Sequence, residues 1–293
     1  GTDRVKNVEQ LHFDAQWNNV VAQTNMYLTL AKAANAAYMD NTYSSAVLEA
    51  GWRTLSSLEL GIARSGAADS DAAYTFTNGI YSAQTPIPLP IGGKLINIEA
   101  AAHVYVGVVD GKRTLMLAVR GTDQPRDVQD YFPFQTHADR LKPLVDAILE
   151  YVKKGAYADG GAIDQIYITG HSLGGATVQQ IMKDPRIVGD PKWIGATYGS
   201  PGSENYAVDS RLLHFEHSGD PVPLVSDLGR FSVPAPGDLE IFQRMAKFMP
   251  DWLREKLEAR SQEVAPNRPA SDQVRIGTPD DFPIGFDQHS MDW

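Results

Sequence analysis

The stretch that most constrains this chain is residues 164–178, DQIYITGHSLGGATV. Residues 166–169 are apolar, β-branched or aromatic and carry no charge, which predicts a short buried strand. Gly170-His171-Ser172-Leu173-Gly174 follows, and from Gly175 to Met182 the spacing is helical. A strand, a tight turn and a helix around G-x-S-x-G read as a nucleophile elbow. The geometry asks for small residues there. A serine at the apex of such a turn has a strained backbone, and side chains at Gly170 or Gly174 would collide with the neighbouring strand and helix. The turn lifts the Ser172 hydroxyl out of the sheet, and the helix points its first N–H groups toward developing negative charge. The five residues alone could be only a glycine-rich turn. The flanking strand and helix carry the reading.

The rest of the chain reads as an α/β protein built around that unit. Residues 24–40 form a helix, with Tyr27, Leu28, Leu30, Ala31, Ala34 and Tyr38 on three- and four-residue steps. A second helical stretch covers about 45–62, with Gly51 inside it, and residues 65–71 are a small, polar loop. Residues 86–93 are a stiff extended connector, because three prolines exclude helix. The sheet is expected from Leu95 onward. Residues 101–109 and 114–120 form a hairpin through Asp110-Gly111, followed by a helix over about 139–154 and the elbow. Two more strands cover 193–198 and 212–217. This order predicts a mixed, mostly parallel sheet with helices on both faces.

A serine hydroxyl needs a base, the base an orienting acid, and the oxyanion its donors. Where such chemistry sits on a strand–elbow–helix unit, the chain order is Ser, then Asp or Glu, then His. Asp220 follows the strand 212–217 and precedes the rigid Pro221; Asp209 and Asp227 are rivals that do not directly follow a strand. An Asp before Pro is also a common turn former. Past Asp220 one histidine remains, His289. His171 adjoins the nucleophile, but neighbouring side chains on a tight turn diverge, which suits packing or hydrogen bonding. His214 and His217 serve only if the chain order is abandoned, and His12, His103 and His137 read as strand or surface residues. For the oxyanion, one donor is the Leu173 N–H. The other is Thr122 in Arg120-Gly-Thr-Asp123, where Gly121 allows close backbone approach, although Gly-Thr after a strand is often only a turn.

Together, Val119-Arg-Gly-Thr122, the run from Thr169 to Gly175, Gly219-Asp-Pro-Val-Pro223 and His289 before Trp293 resemble the class 3 lipases of the α/β-hydrolase superfamily. The resemblance spans about residues 98–293. It implies an α/β-hydrolase fold, a triad of Ser172, Asp220 and His289, and an oxyanion hole of Thr122 and Leu173. No metal-ligand cluster or phosphate-binding loop appears in the sequence, so the chemistry requires no cofactor or metal. The chain departs from the family after the oxyanion motif. Asp127-Val-Gln-Asp-Tyr-Phe132 stands where members carry a Trp or similar residue and an Asn-Leu pair, and the His-x-Gly-Phe phrase is missing. At the N-terminus, GTDRVKNVEQLHFD resembles the element beside calcium-binding glycine-rich repeats in RTX-type secreted bacterial proteins. That implies an extracellular domain of a larger exported protein and leaves calcium binding open. The alternative is an ordinary N-terminal strand pair, suggested by Val5, Val8, Leu11 and Phe13.

Three regions are therefore expected: an N-terminal strand segment at 1–22, a helical attachment packed on the core at 23–94, and the hydrolase core at 95–293. A helical insertion at about 228–275 contains the amphipathic stretch 239–257, split by Pro250, which reads either as a mobile cap or as two helices packed on the sheet. The chain has no cysteine, which removes disulfides and thiol chemistry. It starts at Gly1 without a signal-like segment, which reads as a fragment or a processed form. A net charge of −10 argues against nucleic acid as partner, and no apolar run is long enough for a transmembrane helix. The expected activity is hydrolysis of lipid carboxylic esters, triacylglycerol or phospholipid, with contact to a lipid interface. Acyl transfer, amide cleavage or a small-ester or feruloyl-type esterase would use the same machinery. A non-catalytic module of a larger exported protein is the alternative of another class.

Overall fold

The computed structural model describes residues 24–38, 42–67, 73–88, 95–121, 134–155, 161–203, 209–217 and 273–276. Its spine is the fifteen-residue strand β5 (Leu95–Val109), which turns through Asp110-Gly111 into β6 (Lys112–Val119). On the other side of β5 lie β4 (Ile80–Pro88), then β3 (Ala73–Thr77) and β2 (Ser65–Ala67), all antiparallel. The short β1 (Arg53–Thr54) pairs with Val106 and Tyr105 just past the point where β4 ends against His103. From β6 onward the sheet is parallel: β7 (Gln165–His171), β8 (Trp193–Tyr198), β9 (Leu212–His217) and β10 (Gln273–Ile276) follow in order. The main path runs from β10 at one end to β2 at the other.

Parallel strands must be covered on both faces, and the alternation of side chains along them shows how. Leu115, Leu117, Val119, Ile166 and Ile168 face a cluster completed by α4 (Phe134–Lys154) and α5 (Leu173–Met182). The residues between them, Met116, Ala118 and Tyr167, join Ala196 and Tyr198 on the opposite face. There they meet Leu30, Ala33, Ala34 and Ala37 of helix α1 (24–36) and its end, and Val47 of α2 (Thr42–Glu49). Two hydrogen bonds tie α1 down, from Thr169 Oγ1 to the Leu30 carbonyl (3.2 Å) and from the Tyr198 hydroxyl to the Tyr27 carbonyl. A mixed sheet with a parallel C-terminal half, helices on both faces and a strand–elbow–helix at its centre is the α/β-hydrolase fold, as expected.

Several local expectations change. The second helix is not continuous: Gly51 has φ of 89°, outside helical space, so α2 stops, β1 follows, and a separate turn of helix α3 (Ser57–Leu60) starts behind a Ser56–Glu59 capping box. The polar stretch at 65–71 contributes β2, and the proline-rich stretch continues β4 as far as Pro88, so the sheet begins well before Leu95. Helix α4 begins at Phe134 rather than near Asp139, and Pro143 lies inside it. His137 is helical and buried rather than a strand or surface residue, whereas His103 is a strand residue as expected, buried on β5. Among the described residues no helix is long and apolar enough to cross a membrane.

Candidate active site

Ser172 is the residue between β7 and α5, with φ 55° and ψ −127°. Left-handed residues ordinarily have ψ of about +30 to +60°, so this is a strained conformation and not a routine turn. The surrounding backbone fixes it. Its N–H donates to the Tyr198 carbonyl on β8 (2.9 Å), and its carbonyl accepts from Gly175 (2.9 Å) and Ala176 (3.3 Å) in the first turn of α5. The Ser172 side chain does not cap its own helix, and the residue is 2% exposed.

The glycines of the elbow are there because backbone occupies the space a side chain would need. A Cβ on Gly170 would lie 2.5 Å from the Gly174 carbonyl carbon and oxygen. One on Gly174 would lie 2.4 Å from the Val119 carbonyl oxygen and 3.0 Å from the Gly121 nitrogen. The start of α5 is thus pressed against the end of β6, and the segment leading to the expected oxyanion donor lies beside the turn at Ser172. Gly121 itself is equally confined, by the Tyr38 hydroxyl at 2.1 Å, the His171 carbonyl oxygen at 2.4 Å and Ser172 Cβ at 3.2 Å from where its Cβ would be. Leu173 is the first residue of α5, where helix N–H groups and the helix dipole favour negative charge.

The end of β6 is clamped from the other side. The Arg120 N–H donates to the Ala101 carbonyl (2.9 Å), and its guanidinium reaches Glu99 Oε2 at 2.7 Å. Glu99 also accepts a hydrogen bond from the Ser82 hydroxyl on β4. Burial pushes the Glu99 carboxyl up, but Ser82, Arg120 and Gln84 together hold it below its ordinary value.

The histidines sort by their partners. His171 Nδ1 lies 2.9 Å from the Tyr38 hydroxyl, with the two rings edge to face, in keeping with a hydrogen-bonding residue. His214 is buried on β9, its Nδ1 2.6 Å from Thr197 Oγ1 and its Nε2 facing the Gln179 side chain of α5. Of the rival acids, Asp209 is engaged by Arg211, which donates to Oδ1 from both its backbone N–H and its Nε. Asp227, Asp220, His289, Thr122 and the amphipathic stretch 239–257 lie outside the described residues, as do residues 1–22. The structure therefore brings Ser172 and Leu173 together with Gly121. Among the described residues no group of three or more His, Asp or Glu could hold a metal ion.

Tyr38, which sequence reasoning placed only on the apolar stripe of α1, touches the elbow. Its hydroxyl, in contact with the elbow across 133 positions of chain, leaves no mark in local spacing.

No family model matches the sequence, and no curated protein matches it. Among solved structures, the chain is similar to the extracellular lipase LipA from Serratia marcescens, at 17% identity and a TM-score of 0.40, over 62% of this chain and 30% of that one. It is similar to lipase II from Rhizopus niveus at 19% identity and a TM-score of 0.39, over 70% of this chain and 75% of that one. An MDLA mutant of Penicillium cyclopium is similar at 16% identity and a TM-score of 0.45, over 91% of this chain and 84% of that one. The chain thus spans less than a third of the Serratia lipase.

Proposed function

We propose that this protein is a serine hydrolase that cleaves carboxylic esters of lipids through an acyl-enzyme. The observation that carries the reading is Ser172, held at φ 55° and ψ −127° between a buried strand and a helix N-terminus by backbone packed against Gly170 and Gly174. A conformation that costs on the order of 1–3 kcal/mol persists only where the surroundings over-determine it, and such residues cluster at sites of chemistry.

In this mechanism His289, oriented by Asp220, takes the proton of Ser172 as its Oγ attacks the ester carbonyl carbon. The oxyanion of the tetrahedral intermediate accepts hydrogen bonds from the Leu173 N–H and from Thr122. The intermediate collapses, the C–O bond to the alcohol breaks, and the alcohol leaves with the proton from His289. Water then repeats the sequence on the acyl-enzyme and releases the fatty acid. The order of Ser172, Asp220 and His289 in the chain and the resemblance of the four motifs support these roles. The resemblance of residues 1–14 to RTX-flanking segments supports an extracellular setting within a larger exported protein.

The test is hydrolysis of p-nitrophenyl esters from acetate to palmitate by wild type and Ser172→Ala. Wild-type rates should rise toward long acyl chains, and the variant should lose on the order of 10⁶ in turnover if the triad acts as a unit. Ester turnover retained in Ser172→Ala removes the assignment. A preference for acetate replaces the lipase reading with a small-ester hydrolase.

A further inference from the structure

Three segments distant in sequence meet beside the nucleophile. They are the end of β6 at Gly121, the elbow at His171 and Ser172, and Tyr38 just beyond α1. The Tyr38 hydroxyl lies 2.9 Å from His171 Nδ1 and 3.3 Å from the His171 carbonyl oxygen. The Tyr38 hydroxyl oxygen lies 2.1 Å from where a Gly121 Cβ would stand, a position also 3.2 Å from Ser172 Cβ. Tyr38 is itself held in place. Its N–H donates to the Asn35 carbonyl (3.0 Å), and α1 is packed on the sheet through Leu30, Ala33, Ala34 and Ala37.

We infer that Tyr38 is a positioning residue of the site, acting through His171 and the backbone on either side of it. This rests on the serine hydrolase reading above. A phenol hydroxyl has one proton and can also accept. With Nδ1 of His171 unprotonated, the hydroxyl donates to the ring; with Nδ1 protonated, the ring donates to the hydroxyl, which then turns its proton to the carbonyl. In both tautomers the bond engages the residue whose peptide leads into Ser172, where a small rotation redirects Oγ. The hydroxyl also fills the side of Gly121, so one side chain sets the spacing between the nucleophile turn and the segment that leads to Thr122. Helix α1 thereby contributes to the reaction and not only to covering the sheet. Displacement of a reacting group by about 1 Å costs on the order of 10² in rate, so the effect belongs in turnover and not in substrate binding.

The experiment compares wild type, Tyr38→Phe, His171→Gln and the double variant, using fluorophosphonate labelling rates, p-nitrophenyl butyrate kinetics and Tm. Tyr38→Phe keeps the edge-to-face ring contact and removes only the hydroxyl. The inference expects labelling rate and kcat to fall together by about 10- to 100-fold, with KM and Tm near wild type. The losses of the two single variants should not multiply in the double variant, because both act through one bond. Three outcomes overturn the inference alone: wild-type labelling by Tyr38→Phe, a change confined to KM, or a rate loss that tracks a fall in Tm. If wild type is not labelled at Ser172, the serine hydrolase reading fails, and this inference with it.

Discussion

Among the described residues three that are not glycine have positive φ, and they divide into two kinds. Asn78 (53°) and Asp110 (50°) each precede a glycine in a two-residue hairpin turn, Asn78-Gly79 between Thr77 and Ile80 and Asp110-Gly111 between Val109 and Lys112. There the twist of the two strands requires positive φ at both turn positions, and Asn and Asp adopt it at small cost. Ser172 has nearly the same φ, but its ψ of −127° takes it away from the left-handed well. The neighbourhoods differ as well. A Cβ on Gly111 would meet nothing within 4 Å, whereas one on Gly174 would meet backbone at 2.4 Å. At Asp110-Gly111 the conformation is local and encoded by two residues. The elbow conformation is imposed from outside, by β6, β8 and the first turn of α5.

That contrast can be broken or sharpened by substitution. The largest effect is expected for Gly174→Ala, whose methyl would overlap the Val119 carbonyl oxygen and must push α5 from β6. It should cost about 1–3 kcal/mol in denaturant unfolding, as overpacking does, together with most of the ester turnover. Retained turnover and stability would show that the elbow yields more than its contacts suggest. Next comes Ser172→Gly beside Ser172→Ala. Glycine relaxes the imposed φ and ψ, so the glycine variant should be more stable than the alanine variant by about 1–2 kcal/mol. Equal unfolding midpoints would mean that the turn stores no strain. Gly111→Ala should cost about 1 kcal/mol with turnover unchanged, because its conformation is local and its surroundings are open.

The smallest effect tests a wall of the elbow, the Glu99–Arg120 clamp. The folded-state Glu99 carboxyl is held below its ordinary value of 4.5. Its contribution is therefore fully present above that value and disappears as pH falls through the lower folded value. The drop in Tm from pH 5 to pH 3 should be smaller in Glu99→Gln than in wild type. An unchanged drop would assign acid sensitivity to other carboxylates.

What could be read in the sequence follows the same division. The elbow, the Asp110-Gly111 hairpin and the strands at 193–198 and 212–217 announce themselves through local pattern. The β1–β4 region does not, because its strands violate the usual signals. Pro86 and Pro88 cannot donate to a ladder, yet they sit in β4 opposite Asn97 and Leu95. Among the described residues β3 reaches β4 only as far as Gln84, and a strand side left without a described partner tolerates Pro. Gly51 ends a helix that periodicity alone would continue. Tyr38 looked like one more apolar position on α1, because its partners belong to the elbow and to β6. The turn at Ser172 was legible in its motif; the Tyr38 side chain packed against it was not.

The two ends of the sheet carry a consequence for how molecules of this protein meet one another. An open sheet of this width presents unpaired backbone groups at its margins, where further chains can add. Among the described residues the main path stops at β2, three residues of Ser65-Gly66-Ala67, and at the four-residue β10. At Gly66 the ring of Tyr74 on the adjacent strand already occupies the place of a side chain, its hydroxyl 2.7 Å from where a Cβ would be. An aromatic ring laid over an edge glycine pins register and leaves little apolar surface for a newcomer. Short margins, one of them covered by a ring, disfavour edge-to-edge growth.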